Sequence, residues 1–191
     1  MISFDEVVAL IRPRGRSLIA IDGLPCAGKS TLSEKIFAEL GIDSVSIDDF
    51  LIPFGAWPDD IAPAFPFPYF RNDEFERVVR GLSRGENVSY VPYDWALGRT
   101  SDQLRHLEGS KSWVVEGCSV LAEHLSEAFD VRLFVKSDAG SLMAARTRRD
   151  GEVDVAKWRD LYLPSVERYL ATRPEERAQH LVAGRMSPVE T

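Results

Sequence analysis

The segment Gly23-Leu-Pro-Cys-Ala-Gly28-Lys29-Ser30 constrains this chain more than any other. It matches the spacing G-x-x-x-x-G-K-[ST] at every fixed position. Glycines let the backbone turn back on itself, so that successive N–H groups point inward and form an anion-binding concavity. A helix opening near Lys29 adds the positive end of its dipole. The motif needs a buried strand before it and an amphipathic helix after it. Residues 17–22 are a short apolar run of the kind that forms a buried parallel strand. Leu32, Ile36, Phe37 and Leu40 line one helical face, and Gly41 is a natural stop. Gly23, Pro25, Cys26, Ala27, Gly28, Lys29, Ser30 and Thr31 are thus candidates to cradle the phosphates of ATP. Lys29 is placed to reach the β- and γ-phosphates, and Ser30 to set its hydroxyl on Mg²⁺. Cys26 reads as a small side chain that fits the turn.

The rest of the chain alternates strands with helices. Phe4, Val7, Val8, Leu10 and Ile11 recur at helical spacing, and Pro13 and Gly15 end that helix. Residues 45–47, 113–116, 131–135 and 180–183 read as further short strands. Helices are expected at 73–84 with Asn72 as cap, through Leu121 and Leu125, at 141–150, and at 155–171 with a break at Pro164. Residues 88–95 read as extended, one half of a hairpin. The pattern predicts an α/β three-layer sandwich around a mostly parallel five-stranded sheet, in one domain spanning 1–191. Residues 51–70 break it: five prolines are interleaved with six aromatic residues. Prolines this dense exclude a regular helix or central strand, and the aromatics argue against disorder. An ordered loop lying over a binding site is expected.

With 191 residues, 45% of them hydrophobic, the chain is long enough for one domain with a real core. A formal net charge of −7 argues against nucleic acid as a partner. No apolar run approaches the roughly 20 residues that span a bilayer, and the N-terminus lacks the pattern of a signal peptide. Cys26 and Cys118 stand outside any CxxC pair or metal-ligand cluster, as expected of reduced thiols in the cytoplasm. A homo-oligomer is compatible with all of this.

In an open parallel sheet, ligands gather beyond the carboxyl ends of the strands. Asp22, Asp48, Asp49 and Glu116 all fall at such ends. A carboxylate there holds Mg²⁺ or accepts the proton of an attacking hydroxyl. Glu116 emerges near the metal, and Asp48 or Asp49 faces the acceptor. Arg146, Arg148 and Arg149 lie late in a helix. Arginines spread the charge of a transferred phosphoryl group, and equally suit a helix C-terminus. Arg149 is the stronger candidate because Asp150 and Gly151 open a short lid near 150–155. Arg146 and the Gly184-Arg185 turn are the candidates beside the nucleotide base.

These motifs, in this order from about residue 17 to 184, resemble the uridine kinase and phosphoribulokinase-like group of P-loop kinases. Asp48-Asp49-Phe50 looks like that family's D-[DS]-F-Y segment, which implies Asp48 as catalytic base; as a strand-end carboxylate Asp48 is, with Ser30 and Glu116, also a candidate to hold Mg²⁺. Asp73-Glu74-Phe75 resembles its P-D-A-F segment, which implies that Asp73 binds acceptor hydroxyls. Val91-Pro92-Tyr93-Asp94-Trp95 resembles P-x-Y-D-F, which implies an acceptor pocket at Tyr93 and Trp95, with Arg99 nearby. Val114-Val115-Glu116-Gly117 resembles V-x-E-G, Phe134-Val135-Lys136-Ser137-Asp138-Ala139 resembles F-V-D-T-D-A, and Arg146-Thr147-Arg148-Arg149-Asp150 resembles R-R-x-x-R-D. The chain departs from the pattern in the proline–aromatic loop at 51–70 and in three further places. Leu51 replaces a tyrosine, no histidine follows Trp95, and Gly151-Glu152-Val153-Asp154 replaces an arginine- and glycine-rich lid.

The resemblance implies an ATP- and Mg²⁺-dependent small-molecule kinase acting on a hydroxyl. The departures leave the acceptor open between a nucleoside and another small alcohol, such as a sugar, a vitamin precursor or an antibiotic. A nucleotide-switched regulatory module and a degenerate kinase that binds without transfer are the alternatives. The absence of an N-K-x-D segment speaks against the first, and the intact Lys29, Ser30, Asp48 and Glu116 against the second.

Overall fold

A computed structural model of the protein describes residues 1–12, 15–137 and 155–184. Its first helix, α1 (Phe4–Ile11), opens on a reciprocal cap: Ser3 Oγ accepts from the Glu6 amide, and Glu6 accepts from the Ser3 amide at 2.7 Å. Strand β1 (Leu18–Gly23) follows, then the phosphate-loop segment and helix α2 (Lys29–Leu40). Gly41, with φ of 66°, closes α2 in the left-handed conformation expected of it. Strand β2 (Ser44–Ser46) lies one residue earlier than expected, because Ile47–Phe50 winds into a 3-10 turn. Ser46 Oγ accepts from the Asp48 amide at 3.3 Å and starts that turn.

Helix α3 (Asn72–Ser83) begins one residue earlier than predicted, and Asn72 does not cap it. Its side-chain amide instead donates to the carbonyls of Phe67 and Phe70, closing the end of the preceding loop. Strand β3 (Val88–Tyr90) pairs with β6 (Arg105–Leu107), and β4 (Tyr93–Asp94) with β5 (Arg99–Thr100), both antiparallel. The expected extended run is thus a hairpin interrupted at Val91 and Pro92, where proline supplies no ladder donor. Strand β7 (Trp113–Glu116) leads to a one-turn helix α4 (Glu123–Ser126), shorter than predicted and starting after Leu121. Strands β8 (Val131–Lys136) and β9 (His180–Ala183) complete the sheet. The predicted helix at 141–150 lies outside the described residues. Between Val155–Lys157 and the helix Leu163–Leu170, Trp158–Tyr162 forms a π-helical turn. Pro164 explains the break: it has no N–H to give to the carbonyl four residues back.

The central sheet has five parallel strands in the order β2-β7-β1-β8-β9. The alternation along β1 divides the core. Leu18 and Ala20 face one layer, with α3, the 51–70 loop and the helix Leu163–Leu170. Ile19 and Ile21 face the other, with α1 and α2. Helices on both faces make the three-layer α/β fold that the sequence predicts. Phe37 departs from its expected face and is 55% exposed, while Leu32 and Ile36 carry the buried stripe of α2. Among the described residues no helix is long and apolar enough to cross a membrane.

The 51–70 loop is ordered and partly core. Leu51 bridges Phe70, and the Ile52 amide donates to the Tyr69 carbonyl at 2.9 Å. Phe67, Tyr69 and Phe70 are buried with the core of that layer. Burying each such ring stabilises the fold by about 1.5–3 kcal/mol.

Candidate active site

Register places the carboxyl ends of three strands side by side. Glu116 on β7 sits opposite Ile21 on β1 and opposite Ser46 on β2. The phosphate loop therefore leaves β1 next to Glu116, and the Asp48 turn leaves β2 on its other side. Gly23, with φ of 146°, lies so close to β8 that an added Cβ would sit 2.5 Å from the Val135 carbonyl oxygen. Gly28, with φ of 106°, makes the turn into α2. Cys26 also takes a positive φ, 62°, although it has a side chain. Backbone strain of this kind is tolerated where the surrounding loop over-determines the conformation.

Lys29 is buried at the start of α2, and its ammonium donates to the carbonyls of Gly23 (3.1 Å) and Leu24 (2.9 Å). An ammonium carries three donors, so one remains for a phosphate oxygen. Ser30 donates to Glu116 Oε1 at 3.2 Å. Burial pushes the Glu116 carboxyl above the usual carboxylate range, and the charge of Asp48 pushes the same way. Lys29 and the hydroxyls of Ser46 and Ser30 oppose that rise. Asp48 is exposed, and its field also reaches Tyr69 and Cys118, whose pKa values are raised chiefly by burial.

A hydroxyl and a carboxylate this close form an all-oxygen donor set, the chemistry that suits Mg²⁺. Among the described residues no group of three or more His, Cys, Asp or Glu side chains could hold a metal alone. Mg²⁺ commonly takes one or two protein ligands and completes its shell with phosphate oxygens and water.

The other predicted residues are placed unequally. Asp49 turns from Asp48 toward β3 and β6: its Oδ2 accepts from Tyr90 Oη at 2.5 Å and pairs with Arg105 at 3.2 Å. It ties the Asp48 turn to the hairpin. Asp73 is exposed in the first turn of α3, which packs against the Asp48 turn. Tyr93 is buried, with its ring 5.0 Å from that of Trp95, which is 62% exposed. Arg99 is exposed, its guanidinium held by both oxygens of Asp102 at 2.7 Å. Arg146 and Arg149 lie outside the described residues. Asp22, placed at a strand end by the sequence, is fully buried and accepts hydrogen bonds from within the protein.

Sequence reasoning did not single out an aromatic wall that joins the 51–70 loop to the turn at Trp158–Tyr162. The rings of Phe54 and Trp57 lie 4.9 Å apart, those of Tyr69 and Tyr162 5.0 Å, and those of Tyr162 and Trp158 5.5 Å. Lys157 Nζ sits 4.4 Å from the centre of the Phe54 ring. The density of aromatics in 51–70 pointed to half of this wall. The other half comes from a helix about 100 residues later, which no local pattern connects to it.

No family model matches the chain. A uridine kinase from Geobacillus sp. is 26% identical over 143 residues, which cover 70% of this chain and 66% of that protein. The chain thus spans about two thirds of that relative's length. Among solved structures, a chain provisionally named a uridine kinase from Bacillus stearothermophilus superposes with a TM-score of 0.71 at 19% identity, covering 94% of this chain and 96% of that one. One provisionally named a fructose transport system kinase from Silicibacter sp. superposes with a TM-score of 0.64 at 25% identity, covering 97% of each.

Proposed function

We propose, for a chain that is uridine kinase-like in sequence and a P-loop kinase in fold, that it transfers the γ-phosphoryl group of Mg·ATP to a hydroxyl of a small metabolite. The observation that carries this reading is the convergence of Lys29, the Ser30–Glu116 pair and the Asp48 turn at the ends of three adjacent strands. The amides of 23–31 cradle the triphosphate, and Lys29 takes a phosphate oxygen with its remaining donor. Ser30 and Glu116 would hold Mg²⁺, with Asp48 beside them, and the ion would neutralise charge on the transferred group. By the sequence resemblance, Arg149 is the proposed further source of positive charge for the transferred group, and Arg146 the proposed contact of the nucleotide base.

Asp48 accepts the acceptor's hydroxyl proton as the oxygen attacks the γ-phosphorus. The bond from that phosphorus to the β,γ-bridging oxygen breaks, and ADP leaves. Asp73, Tyr93 and Trp95 hold the acceptor. The aromatic wall excludes water, which suppresses wasteful hydrolysis of ATP. Arg99 borders the pocket from the hairpin. Asp49 keeps the Asp48 turn in place through Tyr90 and Arg105.

The acceptor is a nucleoside or another small alcohol with a flat or apolar body, for which aromatic rings are a suitable lining. Acceptor-dependent ADP release across a panel of small alcohols tests the reading. With an acceptor in hand, Asp48→Asn should lower kcat by about 10²–10⁴-fold and leave the affinity for Mg·ATP nearly unchanged. Normal transfer by that variant contradicts the assignment of the base. ATP loss that ignores every acceptor and answers only to a protein partner favours a regulatory switch instead.

A further inference from the structure

Tyr169 touches both halves of the site. It stands on the helix Leu163–Leu170 and is fully buried. Its hydroxyl donates to Asp22 Oδ2, the carboxylate immediately before the phosphate loop. The same carboxylate accepts from the amides of Gly23 (2.6 Å), Ser119 (3.2 Å) and Leu121 (2.7 Å). Asp22 thereby joins the first residue of the loop to the turn that follows Glu116. Four donors on one carboxylate hold that junction rigidly and leave it no spare acceptor.

The other end of Tyr169 belongs to the acceptor side. Its ring lies 4.9 Å from that of Phe65 and 6.2 Å from that of Phe67. Phe67 stacks on Tyr69 at 5.4 Å, and the charge of Asp48 reaches Tyr69. One turn earlier on the same helix, Ser165 Oγ accepts from the Ala64 amide at 3.2 Å, a second tie between this helix and the 51–70 loop. A continuous set of contacts therefore runs from the backbone of Gly23, through Asp22 and Tyr169, into the loop that faces the acceptor.

We propose that Tyr169 is a positioning residue through which occupation of the phosphate loop further restrains the already ordered 51–70 loop, so that nucleotide binding tightens the acceptor side. This rests on the two-substrate reading above. The signature of such coupling is a response at one end to a ligand at the other.

Hydrogen–deuterium exchange supplies that readout without an identified acceptor. The probe is Mg²⁺ with the ATP analogue bearing a β,γ-imido bridge. In the wild-type chain, the probe should slow exchange at 23–31 and also at the amides of 51–70, by about threefold or more. Tyr169→Phe keeps the ring and deletes only the hydroxyl. It should retain protection at 23–31 and lose most of the nucleotide-dependent slowing at 51–70. Phe65→Leu, cutting the path at its other end, should do the same. A purely structural role would change exchange in 51–70 equally with and without the probe, leaving the difference intact. Such an intact difference in both variants, or no response of 51–70 in the wild type, overturns the proposal while protection at 23–31 upholds nucleotide binding. No protection at 23–31 in the wild type overturns the nucleotide reading and the coupling with it.

Discussion

Glu116 meets two opposing demands. In the proposed role of metal ligand it must be ionised, yet burial and the neighbouring Asp48 favour its neutral form. A carboxyl whose folded pKa lies above its unfolded value binds its proton more tightly in the native state. It supports folding at low pH and withdraws that support as pH rises from its ordinary value of 4.5 through the raised folded value. Glu116→Gln imitates the protonated form at every pH. It should raise Tm at about pH 7.5 and leave Tm unchanged at about pH 4. Each ~1 kcal/mol should appear as roughly 2–4 °C in a chain of this size, read by differential scanning fluorimetry. A lower Tm at about pH 7.5 would show that the ionised carboxylate stabilises the fold. The same substitution should reduce turnover, the trade between stability and function that strained sites show. Cys26 illustrates what residue identity alone conceals. The motif announced the loop, but not that a non-glycine residue would carry positive φ within it.

At the scale of elements, the 51–70 loop behaves as part of the core. Phe67 is 1% exposed and packs against Phe65, Tyr69, Phe70 and Tyr169. Phe67→Ala should therefore cost about 3–5 kcal/mol in urea unfolding, the range of a buried phenylalanine truncated in a rigid core. A cost under about 1 kcal/mol would mean that the loop is a detachable cover. Composition revealed that this segment is ordered, because prolines limit its freedom and aromatics demand burial. Composition could not reveal which rings turn inward. The misjudged helix start at Asn72 has a related cause. Its amide is used by the carbonyls that end the loop, a tertiary demand that overrides capping preference.

Across the whole molecule, the parallel sheet was legible because each central strand is a short apolar run, and β1 and β2 lead directly into polar turns. The loop motif, Glu116 and the Asp48 turn could be aligned on that frame before any geometry was known. The contacts joining distant segments could not. Tyr169 reaches Asp22 across 147 residues, and Arg105 reaches Asp49 across 56. Neither pair lies on a common periodic face, so hydrophobic spacing carries no record of it. The claim on which the rest depends is that residues 23–31 bind a triphosphate with magnesium. Isothermal titration of Mg·ATP into the purified protein tests it directly. The wild type should give saturable one-site heats, and Lys29→Ala should bind at least about tenfold more weakly, a loss of ~1.4 kcal/mol or more. Absence of heat from the folded wild-type protein, or equal affinity in Lys29→Ala, would contradict it.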